Sequence, residues 1–427
     1  MTNKIKIQSV TGMHDILPED QPYFQKVNKA VESIANYYGF SKIETPILEF
    51  ADVFYKAVGE TTDIVEKETY TFKTKGGDLV SLRPEGTAPV MRSYIEHGMH
   101  NLPQPVKLWY LGPFFRHERP QAGRFRQFHQ FGFEILGEQN PSIDGQIIQM
   151  SYDILKELSF KNTTIEVNSI GDSECRPYFK KILASYFRSK KSSLCPDCQR
   201  RLKENPLRIL DCKEEKCQRV KAGAPQIIDH LCENCHSHFK QVLEFLDELE
   251  LPYTLNPYLV RGLDYYTKTV FEIVENSEDG KAQGSLLGGG RYDNLSKIMG
   301  GRETPACGSA GGIERIMSLM KAREVKTAKV VEPEIFLAQL GQLAKRKGLK
   351  LFEEFRDAKI PVAESFSKDS LRTQLRTANK MGIRWVLIFG QKEALEDFIT
   401  LRDMETGSQK EIKLDKVVKE MKIKIKK

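Results

Sequence analysis

The sequence predicts an α+β protein: a mostly antiparallel sheet flanked by helices, followed by a smaller α/β domain. Two stretches, 69–82 and 106–136, each contain a pair of strand-like runs. Two others, 284–299 and 305–320, pass from a strand through glycines directly into a helix. Short β runs alternate with helical ones beyond about residue 330, which is typical of a small α/β unit.

The first elements follow from hydrophobic periodicity and from one proline. Apolar residues recur every three or four positions from Gln21 to Tyr38, which predicts an amphipathic helix that Gly39 ends. The strand-like stretch 39–49 contains Pro46, which has no N–H for a ladder hydrogen bond. We therefore expect Pro46 at a sheet edge or at an interface.

Two strand pairs and a helix come next. A glycine pair divides 69–82 into a predicted hairpin. A helix is expected to begin near Thr87, whose side chain is suited to capping it, and to end near Gly98. Strands are predicted over 106–117 and 125–136, joined by an arginine-containing polar loop of the kind that often carries phosphate chemistry.

The remaining elements define the domain organisation. A further strand is predicted over 258–274, before the two strand-to-helix units. In the last part of the chain, predicted strands at 334–340 and 384–389 alternate with predicted helices at 341–357 and 368–381. The predicted domains are a main domain over 1–325, a basic, cysteine-rich module inserted into it at 176–240, and a second domain over 331–427.

Charge is distributed unevenly along the chain. The 427 residues carry 65 Lys and Arg against 58 Asp and Glu, a formal charge of +7. Residues 176–240 carry 15 basic and 7 acidic side chains, and residues 331–427 carry 21 and 15, so the rest of the chain is acidic. Basic modules on an acidic body indicate a polyanionic partner; the alternative is lysines scattered over a solvated surface.

Composition excludes several classes of protein. With 40% hydrophobic and 29% charged residues, the chain resembles an ordinary globular protein rather than a disordered or fibrous one. No apolar run approaches the ~18 residues of a membrane span, and the N-terminus lacks the apolar segment of a signal peptide. We expect a cytoplasmic protein with no membrane partner.

The inserted module is rich in cysteine. Six of the eight cysteines lie between residues 195 and 235, and this stretch begins and ends with a C-x-x-C pair. Such pairs are common ligands of tetrahedral zinc, although 33 intervening residues exceed the usual spacing. The alternative is a helical module with reduced thiols, so metal binding stays open. The candidate ligands of a structural Zn²⁺ are Cys195, Cys198, Cys232 and Cys235. Cys175 and Cys307 are expected to be isolated buried residues.

Arginines recur beside glycines or polar loops at the ends of predicted strands. They are Arg116, Arg119, Arg261, Arg291 and Arg315. Guanidinium groups bind phosphate through paired hydrogen bonds, and glycine lets a phosphate or base approach the backbone. The chain has no Walker A motif, and its glycine triplet at 288–290 is not a dinucleotide fingerprint. An ATP site built without a P-loop would need these arginines and glycines.

Taken in order, these motifs resemble the histidyl-tRNA synthetase family, which belongs to the class II aminoacyl-tRNA synthetases. The stretch around Pro46 resembles the first class motif, which forms the dimer interface; 115–134 resembles the second motif and 311–315 the third. The histidine-specific peptides of the family are matched by LVRGLDYY at 259–266, GGGRYD at 288–293 and RPEGT at 83–87. The resemblance covers nearly the whole chain.

The resemblance implies a homodimeric ligase that activates L-histidine with ATP and transfers it to tRNA(His), with Mg²⁺ bridging the outer phosphates. Arg116 would bridge the α-phosphate and the histidine carboxylate, Arg261 would bind the other side of the α-phosphate, and Arg315 would hold the γ-phosphate. The carboxylate is already ionised at neutral pH, so activation needs charge and alignment rather than a general base. The other ATP-binding residues would be Glu118, Arg124 and Phe128.

Specificity for histidine requires a pocket that satisfies both ring nitrogens, since a competitor would leave buried polar groups unpaired. Gln130 and Glu134 are four apart on one predicted strand and therefore share a face. The resemblance assigns Glu134 and Tyr266 to the imidazole. It places Glu85, Thr87 and Gln130 near the α-amino group. It also assigns Gly86 to the histidine site, with Tyr265 and Tyr292 lining the pocket. For the transfer step, a phosphate oxygen and Gln130 remain alternative bases.

The last domain resembles the anticodon-binding domain of the family. Arg372, Arg376 and Lys380 fall on one face of a predicted helix. They are candidate tRNA contacts, with an ordinary solvated face as the alternative. The lysine-rich tail from Ser408 predicts either a short edge strand or an RNA-binding arm.

A noncatalytic role is the alternative function. Synthetase-like paralogues act as regulatory subunits of an ATP-phosphoribosyltransferase or as sensors of uncharged tRNA, and they usually lose active-site residues or the C-terminal domain. This chain keeps that domain and all the motif residues named above, which favours the enzyme.

Overall fold

The computed structural model describes residues 7–59, 62, 64–118, 125–276, 282–328 and 332–425. The chain divides into two compact units, Met1–Ala328 and Lys329–Lys427. The α-helices of the first unit are α1 Gln21–Tyr37, α2 Ala51–Val58, α3 Thr87–Glu96, α4 Ser142–Glu157, α5 Arg176–Ser189, α6 Pro196–Glu204, α7 Glu215–Lys221, α8 Glu233–Glu248, α9 Leu295–Ile298 and α10 Ile313–Ala322. Its strands are β1 Ser41–Lys42, β2 Leu48–Phe50, β3 Thr71–Lys73, β4 Leu79–Leu82, β5 Val106–Phe115, β6 Gln127–Leu136, β7 Thr163–Ser169, β8 Tyr253–Leu255, β9 Thr267–Asn276, β10 Ala282–Arg291 and β11 Ala306–Gly312.

An eight-stranded sheet forms the centre of the first unit, with the strand order β1-β5-β6-β11-β10-β9-β7-β8. The six inner strands pair antiparallel, and the two edge pairs, β1 with β5 and β7 with β8, are parallel. The predicted α+β class with a mostly antiparallel sheet is confirmed.

Strand β6 shows how the sheet separates a packed face from a face that can bind a ligand. Phe131, Phe133 and Ile135 are fully buried in a hydrophobic core shared with α1, α4 and α10. Side chains alternate along a strand, so Gln130 and Glu134 project to the opposite face. That face meets a second core, which is rich in tyrosine and includes α3. Helices α1, α4 and α10 therefore cover one face of the sheet, and polar side chains of β6 lie on the other face, beside α3.

The predictions for the N-terminal elements are largely confirmed. Helix α1 ends one residue before the predicted position, and β3 pairs with β4 as the predicted hairpin. The stretch around Pro46 is divided between two sheets: β1 joins the main sheet, whereas β2 joins a small sheet with the order β2-β4-β3. Pro46 lies in the connection between them, outside both ladders, because it has no N–H to donate.

The predicted strand over 258–274 is wrong in its first half. Strand β9 begins only at Thr267, and residues 258–266 form turns. The apolar residues Leu259 and Val260 pack toward cores instead of extending a ladder. Because alternation of apolar and polar residues also occurs in buried turns, the pattern alone did not locate the start of the strand.

The inserted stretch 176–240 is helical throughout its regular parts. It contains α5, α6, α7 and the first half of α8, with short 3₁₀ segments at Lys191–Ser193, Pro206–Ile209 and Ile227–His230. Its own hydrophobic core combines aromatic and aliphatic residues of α5 with four of the cysteines.

The second unit is a five-stranded sheet with helices packed on it. Its helices are α11 Gln342–Asp357, α12 Leu371–Lys380, α13 Gln391–Leu395 and α14 Val417–Lys424, and its strands are β12 Ile335–Gln339, β13 Val362–Glu364, β14 Trp385–Phe389, β15 Phe398–Asp403 and β16 Gln409–Lys413. The strand order is β13-β12-β14-β15-β16, with parallel pairs around β12 and antiparallel pairs beyond β14. The predicted α/β pattern is confirmed.

The lysine-rich tail divides into two elements. Its first part is the predicted edge strand, β16, on which Lys410 and Lys413 are exposed. In the Lys/Ile alternation that follows, Lys422, Ile423 and Lys424 form the end of helix α14, and the last two lysines lie outside the described residues. Among the described residues, no helix combines the length and the apolar character needed to cross a membrane.

Candidate active site

Glu134 lies at the centre of a polar pocket on the open face of the main sheet. Its side chain is 1% exposed. One carboxylate oxygen accepts a hydrogen bond from the Thr87 hydroxyl at 2.7 Å, and the other accepts one from the Tyr292 hydroxyl. Burial raises the pKa of Glu134 to about 8, although both hydrogen bonds act to lower it. The surroundings of Glu134 therefore favour the neutral form of its carboxyl group at neutral pH.

A second buried carboxylate, Glu85, stands at the start of helix α3. It accepts hydrogen bonds from the backbone N–H groups of Thr87 and Ala88, each at 2.8 Å, and from the Tyr265 hydroxyl at 3.3 Å. The predicted capping role of Thr87 is wrong, because its hydroxyl is used by Glu134 and the carboxylate of Glu85 satisfies the first helical N–H groups. Burial raises the pKa of Glu85 despite these donors.

Four tyrosines surround the two carboxylates. The rings of Tyr265, Tyr266 and Tyr292 lie with centroids 4.8 to 6.4 Å apart. Tyr110, on β5, is equally buried, and its hydroxyl has no hydrogen-bond partner among the described residues. A buried hydroxyl without a partner is costly unless a ligand or water satisfies it. Sequence reasoning missed Tyr110, because it lies in an apolar strand with no motif around it.

Three glycines allow these side chains to approach the backbone. A Cβ atom at Gly86 or Gly132 would overlap the Tyr110 ring, and one at Gly308 would overlap the Glu134 carboxylate. The glycine at 86, which the resemblance places in the histidine site, thus provides space rather than a polar contact. Only glycine fits at these three positions.

Gln130 and Glu134 are four residues apart on β6, so their side chains project from the same face of the strand. Its amide oxygen is buried and has no hydrogen-bond partner among the described residues. Its partners on the neighbouring strands are both glycines: the space beside Gly312 is open, whereas the Arg83 guanidinium occupies the space beside Gly112. Gln130 therefore offers an unused polar group to a ligand.

Arg261 projects from the turn before β9 toward the glycine strand β10. Its guanidinium donates to Glu272 and lies 5.6 Å from the Tyr266 ring centroid. A Cβ at Gly288 would clash with this guanidinium. The neighbouring Glu272 charge raises the pKa of Arg261 although burial opposes it. Its Nε has no partner among the described residues, so one donor remains for a ligand.

Arg116 follows β5 and lies beside Phe128. Its Nε donates to the carbonyl of Pro84 at 2.8 Å, its guanidinium lies 5.5 Å from the Phe128 ring centroid, and Glu118 is 3.9 Å away. A stacked guanidinium beside an aromatic ring suits a phosphate and a planar base. Arg119 and Arg124 lie outside the described residues.

Arg315, at the start of α10, is partly buried beside β10, where a Cβ at Gly284 would meet its guanidinium at 2.5 Å. The adjacent Glu314 holds His129 of β6: both carboxylate oxygens accept from the backbone N–H of His129, at 2.8 and 2.9 Å. This contact fixes the third motif against the strand that carries Gln130 and Glu134.

Arg291 differs from the other arginines, because it is a structural residue. It is fully buried and donates to Asp144 through Nε and Nη2, and to the carbonyls of Glu138 and Asn140 at 3.0 and 3.1 Å. Although burial would raise it, the pKa of Asp144 is lowered to about 2 by the Arg291 charge and by His238. The expectation that Arg291 serves a phosphate site is therefore wrong.

The cysteines do not group as predicted. Cys195 and Cys198 lie with Cys212 and Cys217, whereas Cys232 and Cys235 lie with Asp172 and Cys175. The prediction that the two C-x-x-C pairs together form one zinc site is wrong, because the fold places the two pairs in separate clusters. Cys307 is a buried residue, as expected, but Cys175 is not isolated. All eight cysteines have free thiols.

The predicted tRNA contacts lie in the second unit. Arg372, Arg376 and Lys380 are all exposed on α12, whose opposite side packs through Ala378 against the sheet. The predicted amphipathic helix is confirmed, and the RNA contact stays a prediction.

The antiparallel sheet and the arginines and carboxylates on its open face define a class II aminoacyl-tRNA synthetase. Comparison with known proteins specifies the family. The family model for histidyl-tRNA synthetase matches residues 12–173 and 199–316, and a model for an anticodon-binding domain matches residues 334–424. The chain belongs to the histidyl-tRNA synthetase family.

Individual relatives agree with this assignment. A histidine–tRNA ligase from Dehalococcoides mccartyi is 46% identical over 97% of this chain and 99% of its own length. Another from Syntrophotalea carbinolica is 43% identical over 96% of this chain and 97% of its own length. The apo structure of S. aureus histidyl-tRNA synthetase superposes with a TM-score of 0.77 at 34% identity, covering 97% of this chain and 99% of that one.

Proposed function

We propose that this protein is a histidine–tRNA ligase, which activates L-histidine with ATP and transfers it to tRNA(His). The observation that carries the proposal is the pocket around Glu134. A buried carboxyl group with a pKa of about 8 stands beside two buried polar atoms that have no partner among the described residues, Gln130 Oε1 and Tyr110 Oη. An imidazole with an α-amino group supplies donors and an acceptor for such a pocket.

Recognition of the imidazole rests on Glu134, with Tyr266 in the pocket wall. A carboxyl group that accepts from Thr87 and Tyr292 is held in one orientation, so it fixes which ring nitrogen of the substrate carries the proton. The α-amino group is a cation, and Glu85 and Gln130 offer oxygen acceptors for it. An amino acid with an apolar side chain would bury Glu134 without offering it a donor, and discrimination of this kind reaches roughly 10⁴ to 10⁵.

Activation joins the histidine carboxylate to the α-phosphorus of ATP and releases pyrophosphate. Negative charge grows on the α-phosphate, and Arg116 and Arg261 are the groups that would stabilise it. Phe128 stacks beside Arg116 and offers a surface for the adenine. Glu118 and Arg315 complete the ATP site in this proposal, as does Arg124, which lies outside the described residues.

ATP is used with Mg²⁺ in this proposal, and the metal would neutralise charge on the outer phosphates. Glu118 and Glu272, each beside an active-site arginine, are carboxylates of the type that Mg²⁺ binds. Their pairing with Arg116 and Arg261 keeps them oriented in the absence of ATP.

The tRNA would be bound in part by the second unit, through the exposed basic face of α12. A homodimer is also proposed, and its interface would include the small sheet around Pro46. Leu48 and Phe50 on its edge strand β2 are 45% and 62% exposed, and they line an apolar cavity of about 470 Å³. Exposed apolar side chains on an edge strand favour pairing with a second chain. None of the eight cysteines forms a disulfide, which fits a reducing, cytoplasmic location.

The alternative, a noncatalytic regulatory subunit, has no specific observation in its favour. Histidine-dependent ATP–pyrophosphate exchange without tRNA distinguishes the two functions, since only the ligase forms an adenylate. The exchange should be absent with other amino acids. A folded protein that binds histidine but supports no exchange would refute the enzymatic function, and sedimentation velocity on the same sample would test the dimer.

A further inference from the structure

We propose that the cysteine-rich insert, together with the residues just before it, carries two separate structural zinc sites, one formed by four cysteines and the other by three cysteines and an aspartate. The first consists of Cys195, Cys198, Cys212 and Cys217 and is called site A. The second consists of Asp172, Cys175, Cys232 and Cys235 and is called site B. In each site the four candidate ligand atoms lie within 4.8 Å of one another.

The spacing of the sulfurs in site A suits a tetrahedral metal thiolate. A zinc–sulfur bond of about 2.3 Å in a tetrahedron places neighbouring sulfurs about 3.8 Å apart. The sulfurs of Cys195 and Cys212 are 3.9 Å apart, much farther than the roughly 2 Å of a disulfide. All four side chains are buried, with exposures of 0 to 7%. Four thiols converge here without forming a disulfide.

The backbone around site A donates hydrogen bonds to the sulfurs. The N–H of Cys198 points to Cys195 Sγ at 3.4 Å, and the N–H of Cys195 points to Cys217 Sγ at 3.2 Å. Cys195 is the N-cap of α6, where the helix dipole favours a thiolate. The spacing is also favourable: 13 residues separate Cys198 from Cys212, in place of the 33 between the two C-x-x-C pairs.

Site B has a mixed ligand set. Asp172 Oδ1 lies 3.7 Å from Cys175 Sγ and 4.0 Å from Cys232 Sγ. A tetrahedron with zinc–oxygen and zinc–sulfur bonds of about 2.0 and 2.3 Å has an oxygen–sulfur edge of about 3.5 Å, so a small adjustment completes it. Cys232 is the N-cap of the 16-residue helix α8. The second C-x-x-C pair thus repeats the arrangement of the first at a helix start.

Metal binding at either site releases thiol protons and leaves a net charge of −2. Four thiols lose four protons on binding Zn²⁺ at site A; three thiols lose three at site B, where Asp172 is already ionised. Each site has a basic side chain within electrostatic reach. Lys221 interacts with Cys212, and Arg176 interacts with Asp172, Cys175 and Cys235.

The insert has a physical need for such cross-links. Helices α6 and α7 have nine and seven residues, which is too short for independent stability in water. A small module of this kind usually depends on metals or disulfides to supplement its core. Site A joins the start of α6 to α7 and to the loop between them. Site B joins the entry of the insert, before α5, to the start of α8, where the insert ends.

Site A also determines the position of residues beside the active site. The segment that follows α6 carries Asn205, whose amide donates to Asp264 at 3.2 Å, and Leu207, which lines a cavity of about 110 Å³ together with Arg261. Asp264 and Arg261 belong to the turn that precedes β9. Loss of metal from site A should therefore loosen this contact as well as the insert.

Metal analysis of the purified full-length protein, produced with zinc in the medium, tests the proposal. We expect two zinc ions per chain by inductively coupled plasma mass spectrometry. The double variants C212S/C217S and C232S/C235S should each retain one zinc, and the control Cys307→Ser, at a buried cysteine outside both sites, should retain two. One zinc that only C212S/C217S removes would support site A and overturn site B; the converse result would reverse this.

Two measurements on the unmodified protein decide the matter if a variant fails to fold. Cobalt replacement should give a thiolate-to-cobalt absorption whose intensity corresponds to seven thiolates per chain, against four if only site A binds. Titration of free thiols before and after metal removal should expose seven further reactive cysteines. Folded protein with no zinc and with eight reactive or disulfide-bonded cysteines would overturn both sites.

Discussion

Replacing Glu134 by glutamine should make the ligand-free protein more stable, and increasingly so as the pH rises from about 5 to 8. Burial raises the pKa of Glu134 from its ordinary value of 4.5 to about 8 in the folded protein. The folded state therefore binds more protons than the unfolded state between these two values. Stability falls as pH rises through this window, because ionisation is easier in the unfolded chain.

The magnitude follows from the two pKa values. At 1.36 kcal/mol per pH unit, the difference between 4.5 and about 8 corresponds to roughly 5 kcal/mol above pH 8. At pH 7.5 it corresponds to roughly 4 kcal/mol. Below pH 4.5 the carboxyl group is protonated in both states, so this contribution vanishes. Water entering the pocket would reduce these figures, which are upper limits.

Melting temperatures of wild type and Glu134→Gln, measured without histidine from pH 5 to 8.5, provide the assay. The difference between the two proteins isolates this one group, since every other titrating residue is shared. Glu32→Gln is the control, because Glu32 is an exposed carboxylate on α1. Parallel curves for wild type and Glu134→Gln over the whole range would refute the reasoning. The variant should also lose histidine-dependent pyrophosphate exchange.

Three further predictions concern substitutions of charged side chains. Arg261→Ala should reduce histidine-dependent pyrophosphate exchange by about 10² to 10³ with little change in histidine affinity measured by calorimetry, since its partner is charge that develops at the α-phosphate; a comparable loss of affinity would contradict that role. Asp144→Asn should lower the free energy of unfolding by about 3–5 kcal/mol in urea titrations, because it leaves the buried Arg291 charge poorly paired; a neutral effect would contradict it. Replacing Arg372, Arg376 and Lys380 together by alanine should weaken tRNA binding and flatten its salt dependence while leaving pyrophosphate exchange intact; an unchanged salt dependence in filter binding would indicate a merely solvated face.

Periodicity and motif order predicted most of the fold. The strand pair of β5 and β6 and the two strand-to-helix units lie within a few residues of their predicted positions. Such local patterns predict helices and strands because they reflect which face of each element is buried. The first half of 258–274 failed, because an apolar run that enters a core through a turn has the same composition as a strand.

The roles of site residues were predicted less well where their hydrogen-bond partners come from distant parts of the chain. Thr87 has the side chain of a helix cap, but Glu134, 47 residues away, takes its hydroxyl. Arg291 follows a glycine triplet, as a phosphate ligand would, but Asp144 binds it. The spacing of the cysteines did not predict their grouping either. The fold decides which further ligands lie beside each C-x-x-C pair.

The glycines at 86, 132 and 308 limit how the amino-acid specificity of the site could change by mutation. They form parts of the pocket wall where backbone, not side chain, meets Tyr110 and Glu134. A single mutation there adds a Cβ that would displace Tyr110 or the Glu134 carboxylate, and with them the hydrogen-bonding groups of the site. Substitutions at these glycines should therefore abolish histidine binding rather than change which amino acid is bound.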